Sequence, residues 1–135
     1  MKLNEEIIKK GFIIAGIMNI TGPLIFSRFL TNETIPKIDD VMSNFGLIQI
    51  VVWGLIYIAM SQNYEQLKWL IGVFVIEKLI YSVNWTSWMM NNSLTSVYEK
   101  DTMAGIFYTI YGINDWFFFL FFSAVFFKLL KPTKN

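Results

Sequence analysis

Six polar side chains interrupt long apolar stretches of this chain and are the residues best placed to do chemistry. They are Glu77, Lys78, Asn114, Asp115, Asn19 and Gln49. A carboxyl group that is kept from water can hold a proton or a cation, and a nearby lysine can neutralise it. Ionisable residues inside apolar stretches usually mark binding sites, ion pathways or proton relays. The charged trio of Glu77, Lys78 and Asp115 is therefore the predicted centre of a site.

The composition excludes several other kinds of chemistry. The chain has no cysteine and no histidine, which removes disulfides, thiol catalysis and nearly every zinc, copper or haem site. We expect no metal and no cofactor. The 11 basic and 10 acidic residues leave a net charge of +1, which provides no basic surface for nucleic acid. No phosphate-binding loop, dinucleotide fingerprint or hydrolase motif is present.

Four apolar stretches are each close to the length that crosses a bilayer, at about residues 11–30, 44–61, 69–90 and 103–127. Roughly 20 helical residues at about 1.5 Å each span a hydrocarbon core of about 30 Å. With 55% hydrophobic and 16% charged residues, polar groups are too few to coat four long helices in water. Short connections rich in turn residues favour antiparallel neighbours. The sequence predicts an all-α membrane protein, a single domain over residues 1–135, folded as a four-transmembrane-helix antiparallel bundle.

Local signals predict where two of these helices begin. Asn4 is expected to cap the first helix, which would then contain a Glu5 to Lys9 pair four residues apart. Ser96 followed by Glu99 resembles a capping box. We therefore expect the fourth helix to begin near Ser96 and to run long.

Basic residues are unevenly divided between the two ends of such a bundle. One end would carry seven of them, namely Lys2, Lys9, Lys10, Lys68, Lys128, Lys131 and Lys134. The opposite end would carry three, namely Arg28, Lys37 and Lys100, of which Arg28 is read as an interfacial anchor. The positive-inside rule then predicts that both termini are cytoplasmic. The expected location is the inner membrane of a bacterium, as a multi-pass protein.

The six polar residues fall at a similar depth, roughly 13 to 21 Å from the cytoplasmic edge at 1.5 Å per residue. Other polar and aromatic residues share their helix faces: Tyr81, Asn84 and Trp88 with Glu77, Tyr111 with Asp115, and Trp53 and Tyr57 with Gln49. A charge in mid-bilayer costs about 2.5 to 3.5 kcal/mol, so these faces should turn inward. The pattern predicts an acidic, aromatic pocket inside the membrane.

The pairing of the charges can be predicted from helix geometry. Adjacent residues point about 100° apart, so Glu77 and Lys78 are not expected to face each other. Asp115 is the predicted partner of Lys78. Glu77 would then lack a basic partner, and would be protonated or would accept hydrogen bonds from Asn19, Gln49, a tyrosine or water.

Three functions fit these residues. The preferred one is binding or transport of a small amphipathic or cationic molecule, with Glu77 as the key carboxylate. The predicted ligand-binding residues are Glu77, Asp115, Lys78, Asn19, Gln49, Tyr81, Asn84, Trp53, Trp88, Tyr111 and Asn114. One alternative is a structural or accessory subunit of a membrane complex, and the other is a membrane-embedded, isomerase-like acid–base enzyme acting on a lipid-soluble substrate. Expected partners are the lipid bilayer, a small amphipathic ligand, and a second copy or another membrane subunit.

Overall fold

A computed structural model describes residues 3–131, which are almost entirely helical and contain no strand. The six α-helices are α1 (Glu5–Phe26), α2 (Ile35–Ile38), α3 (Asn44–Met60), α4 (Lys68–Asn91), α5 (Leu94–Lys100) and α6 (Thr102–Leu130). Short 3-10 helices occupy Asp40–Met42 and Tyr64–Leu67. The predicted all-α class is confirmed. Lys2 and Lys134, which were counted in the charge asymmetry, lie outside the described residues.

Two helices of the described chain, α1 and α6, are long and apolar enough to cross a membrane. Helix α3 is apolar but has only 17 residues, and α4 carries Glu77 and Lys78 near its middle. The bounds of α3, α4 and α6 lie within three residues of the predicted stretches. Helix α1 instead ends at Phe26, four residues earlier than expected.

The long helices pack mainly as two pairs, α1 with α3 and α4 with α6, and α1 joins the pairs through α6. Glycines allow α1 and α3 to pack closely. A Cβ added to Gly16 would lie 2.6 Å from the carbonyl oxygen of Gly54, and one added to Gly54 would lie 2.8 Å from that of Gly16. Only glycine at both positions allows this approach, which brings the next turn of α1, with Asn19, against α3.

Two apolar clusters fill the interior at different levels of the long helices. One surrounds Phe12, Phe74 and Phe122, and the other surrounds Leu47 and Tyr108. The buried charged residues of α4 and α6 fall between these clusters along their helices. The apolar packing on either side therefore shields the charged groups from the two ends of the bundle.

One end of the molecule joins the start of α1, the connection between α3 and α4, and the end of α6. The ammonium of Lys128 donates to the carbonyl oxygen of Leu3 at 2.7 Å, and Tyr64 stacks on Phe12 with ring centroids 5.8 Å apart. Asn4 caps α1 by accepting from the backbone N–H of Ile7 at 2.8 Å. That predicted cap is confirmed, as is the ion pair of Glu5 and Lys9.

At the opposite end, α1 stops because the chain turns sharply through three consecutive residues in the left-handed region. Arg28, Phe29 and Leu30 have φ values of 51°, 56° and 67°. This conformation is uncommon for residues with a side chain. The predicted extension of the first span to Leu30 was therefore wrong.

Asp101 organises that end by linking the start of α6 to the connection that follows α1. Its side chain caps α6 at Ala104, accepts from Arg28 at 3.0 Å, and lies 3.4 Å from the amide nitrogen of Asn32. Partial burial opposes ionisation, but the Ala104 N–H and the Arg28 guanidinium outweigh it and hold the pKa of Asp101 below its usual range. Arg28 was predicted to be an interfacial anchor, and the structure adds an ion pair with Asp101.

The predicted start of the fourth helix near Ser96 was wrong. Ser93 caps the separate short helix α5, and Asp101 caps α6. The chain is extended at Asp101, with φ −158° and ψ 116°. The break between α5 and α6 at Asp101 therefore shortens the last long helix at its beginning.

Candidate functional site

Lys78 lies at the centre of a buried polar cluster that several helices build together. Its side chain is 1% exposed, and its ammonium donates to Asp115 Oδ1 at 2.6 Å and to Asn19 Oδ1 at 3.1 Å. These contacts tie α4 to α6 and to α1. The predicted ion pair of Lys78 and Asp115 is confirmed.

Glu77 joins the same cluster from a neighbouring position on α4. Its Oε2 accepts a hydrogen bond from the hydroxyl of Tyr57 on α3, and its Oε1 lies 3.9 Å from the ammonium of Lys78. The expectation that Glu77 lacks a basic partner was wrong, because a lysine side chain is long enough to bend its ammonium toward its chain neighbour. Among residues 3–131, no group donates a hydrogen bond to Glu77 Oε1.

The cluster contains two carboxyl groups and one ammonium. If both carboxyls were ionised, the net charge of the cluster would be −1. The aromatic ring of Tyr57 lies 5.4 Å from the Lys78 ammonium, so it stabilises the cation without adding a charge. The cluster is therefore short of one positive charge, which either a proton or a bound cation could supply.

A cavity of about 270 Å³ lies between α1 and α6, with Ile50 of α3 among its lining residues. We call it the α1–α6 cavity. Most of its wall is apolar, and Ile25 and Ile110, which are 52% and 38% exposed, show that it reaches the molecular surface. Gly22 also lines it, and a Cβ added there would meet no atom of the described chain within 4 Å.

The polar side of the cavity is formed by Asp115 with Asn19, Asn114 and Tyr111. Both the Lys78 ammonium and the Asn114 amide bond to Asp115 Oδ1. Asp115 Oδ2 consequently has no hydrogen-bond partner within residues 3–131, although the residue is only 6% exposed. A carboxylate in a largely buried residue needs hydrogen-bond donors or a cation, and this free oxygen belongs to a residue that lines a cavity.

Pro23, which lies inside α1 and also lines the cavity, adds a further acceptor. Proline has no N–H, so residue 23 cannot donate the usual helical hydrogen bond to the carbonyl oxygen of Asn19. Two residues that line the cavity, Asp115 and Asn19, thus each have an oxygen acceptor without its usual donor. The polar side of the cavity therefore suits a ligand that donates hydrogen bonds or carries a positive charge.

The other predicted site residues are divided between this cluster and its surroundings. Asn84 donates to the Tyr111 hydroxyl at 3.4 Å, which keeps both near the cavity. Trp53 packs edge-on against Phe74 in the first apolar cluster. Gln49 is half-buried on α3 and has no side-chain hydrogen bond within the described residues.

Tyr81 and Trp88 belong to the second apolar cluster. Trp88 packs on Tyr108 with ring centroids 4.7 Å apart. It lines a different cavity, near the connections before α3 and α6. Glu77 is not among the residues that line the α1–α6 cavity. The predicted set is thus only partly gathered at one place.

Sequence reasoning missed two contributors. Tyr57 was placed on the face of Gln49 and Trp53 but was not included in the site, although it is the α3 residue that reaches the charged cluster. Its position eight residues after Gln49 is compatible with one helix face, so the periodicity did indicate it. Gly22 and Pro23 interrupt the first apolar stretch, which predicts a kink that opens backbone carbonyls toward the polar residues, but Pro23 was not included in the site.

No protein-family model matches this chain, and no curated protein and no solved structure matches it.

Proposed function

We propose that α1, α3, α4 and α6 all cross a membrane as a four-span antiparallel bundle. The support is that α3 and α4, like the other two, direct apolar side chains outward: Leu55 is 55% exposed, Ile76 58% and Ile80 62%. Glu77 and Lys78, the charged residues near the middle of α4, are instead buried. This inside-out arrangement is typical of a helix bundle whose solvent is lipid.

The charge distribution supports an orientation with both termini in the cytoplasm of a bacterium and the spans in its inner membrane. The end that holds the start of α1 and the end of α6 carries Lys9, Lys10, Lys68 and Lys128. The opposite end carries Arg28, Lys37 and Lys100. An excess of lysine at one end favours the cytoplasmic side for that end.

Within this bundle, the protein binds or transports a small amphipathic or cationic molecule that occupies the α1–α6 cavity. The observation that carries this proposal is Asp115 Oδ2, a carboxylate oxygen without a donor in the described chain, in a largely buried residue that lines the cavity. Phe107 and Tyr111, which also line the cavity, stack with centroids 5.6 Å apart and supply aromatic surface for a cation. The key carboxylate is therefore Asp115, and not Glu77 as the sequence suggested.

The alternative of a structural subunit has one observation in its favour. Lys78, Asp115 and Asn19 bond to one another, and such bonds fix helix register without any ligand. An acid–base enzyme has less support, since Lys78 is bonded to Asp115 and Glu77 does not line the cavity. The two carboxyls do not converge on one substrate position.

The test uses octyltrimethylammonium, a permanent cation with an apolar tail, and the protein in nanodiscs of zwitterionic lipid. Calorimetry should detect saturable binding above the partitioning into empty nanodiscs. We expect Asp115→Asn to weaken it at least tenfold, which is about 1.4 kcal/mol. Asp40→Asn, which changes an exposed carboxylate in a 3-10 helix, should bind as the wild type does.

A second variant guards against misfolding of Asp115→Asn. Gly22→Val places a side chain in the cavity and does not alter the charged cluster. It should also lower the affinity while the helical circular dichroism stays unchanged. If the wild type shows no saturable binding, or if both variants bind like it, the structural alternative replaces this proposal.

A further inference from the structure

Glu77 is a buried carboxyl that the proposed ligand binding does not use. It is 6% exposed, it does not line the α1–α6 cavity, and its Oε1 lacks a hydrogen-bond donor in the described part of the chain. Burying a second carboxyl beside an existing ion pair is costly. A purely structural pair of Lys78 and Asp115 would not require it.

The two carboxyls lie on either side of one ammonium. Lys78 Nζ is 2.6 Å from Asp115 Oδ1 and 3.9 Å from Glu77 Oε1. Charge-assisted hydrogen bonds are about 2.7 to 2.9 Å long, so a shift of roughly 1 Å would bring the ammonium into contact with Glu77. The lysine can therefore exchange one carboxylate for the other within the cluster.

We propose that this shared lysine couples cation binding at Asp115 to the release of one proton from Glu77. The coupling rests on the proposed function. In the free protein, Glu77 holds a proton, Lys78 is cationic and Asp115 is anionic, so the cluster is neutral. When a cation binds Asp115 Oδ2, Lys78 turns to Glu77 Oε1, the Glu77 O–H bond breaks, and the proton passes to water.

The charge balance is the physical reason for the exchange. Before binding, one positive and one negative charge are present. After binding, the two carboxylates are balanced by Lys78 and the ligand. The interior thus stays neutral in both states, as a low-dielectric environment requires. A protein with this cycle would exchange a proton for a lipophilic cation.

Few other groups can take part in this titration. Tyr57 of α3 donates to Glu77 Oε2, Tyr81 of the same helix α4 is close enough to act on Glu77 electrostatically, and Asp115 of α6 lies across Lys78. Helix α1 contributes Asn19, which does not titrate. The assignment to Glu77 can therefore be tested by changing that residue alone.

The experiment measures protons released when octyltrimethylammonium binds, by calorimetry in two buffers of different ionisation enthalpy. The probe itself cannot titrate. We expect about one proton per bound cation in the wild type. By linkage, the Kd then falls about tenfold for each unit rise in pH while free Glu77 holds its proton.

Glu77→Gln keeps an acceptor for the Tyr57 hydroxyl and cannot release a proton. It should bind the probe more weakly than the wild type, because the bound cluster would carry a net charge of +1, with no proton release and with a Kd that does not follow pH over that range. Wild-type binding without proton release, or equal release from Glu77→Gln, would overturn the coupling and leave the proposed function intact. If the wild type does not bind the probe at all, both the coupling and the proposed function are overturned.

Discussion

Removing the ammonium of Lys78 is the sharpest test of the buried cluster. Lys78→Met keeps most of the side-chain volume but leaves Asp115 and Glu77 without a cation, and Asn19 Oδ1 without its donor. Breaking a buried ion pair by removing one partner costs about 3 to 5 kcal/mol. Replacing both partners of such a pair is often close to neutral. We therefore expect a loss of about 3 kcal/mol or more for Lys78→Met, with at least half recovered in Lys78→Met combined with Asp115→Leu.

Equilibrium unfolding by sodium dodecyl sulfate in mixed micelles, followed by helical circular dichroism, measures these free energies. Lys68→Met, which changes a half-buried lysine at the start of α4, serves as the control and should change stability by less than about 0.5 kcal/mol. A loss below about 1 kcal/mol for Lys78→Met would refute the view that its ammonium neutralises the cluster. Additive losses in the double variant would refute the pairing with Asp115.

Three further outcomes follow from the packing and the ends of the helices. Gly16→Ala should lower the free energy of unfolding by about 1 to 3 kcal/mol, because its Cβ would meet the Gly54 carbonyl oxygen at 2.6 Å. Gly22→Ala, whose Cβ would meet no atom of the described chain within 4 Å, should be nearly neutral. Equal effects of the two variants in thermal unfolding would contradict the close crossing of α1 and α3. Asn4→Ala should lose about 1 kcal/mol with the cap of α1, and an unchanged melting curve would contradict it. Asp101→Asn should destabilise the protein by up to about 1 kcal/mol at pH 7. Because the folded pKa of Asp101 is lowered, its contribution is complete above the ordinary value of 3.8 and disappears as the pH falls through the lowered value, so unfolding of the two proteins should converge there.

The long helices could be predicted because apolar length is a local property of the sequence. The end of α1 could not, since the turn at Arg28, Phe29 and Leu30 uses the left-handed conformation without any glycine to announce it. The same limit explains the error at Ser96. Its spacing to Glu99 is locally correct for a capping box, but Asp101 makes the better cap because it also binds Arg28 from a distant part of the chain.

The charged cluster was predictable in its members and less so in its connections. Equal depth along the helices paired Lys78 with Asp115 correctly. Glu77 was misjudged because helical direction describes where a side chain leaves the backbone, and a flexible lysine can return toward its neighbour. A pocket was predicted, but its position between α1 and α6 was beyond reach, since that position depends on how these two helices pack around Gly22 and Pro23.

The dependence of Lys78 on α6 has a consequence for how the protein is assembled. Synthesis proceeds from α1 to α6, so α1, α3 and α4 leave the ribosome before Asp115 does. Until α6 is in place, Lys78 has only the Asn19 amide oxygen and the adjacent Glu77 as partners. A chain arrested before α6 would expose this unbalanced charge and the uncovered side of α4, and this would make it recognisable to membrane proteases as an unfinished product.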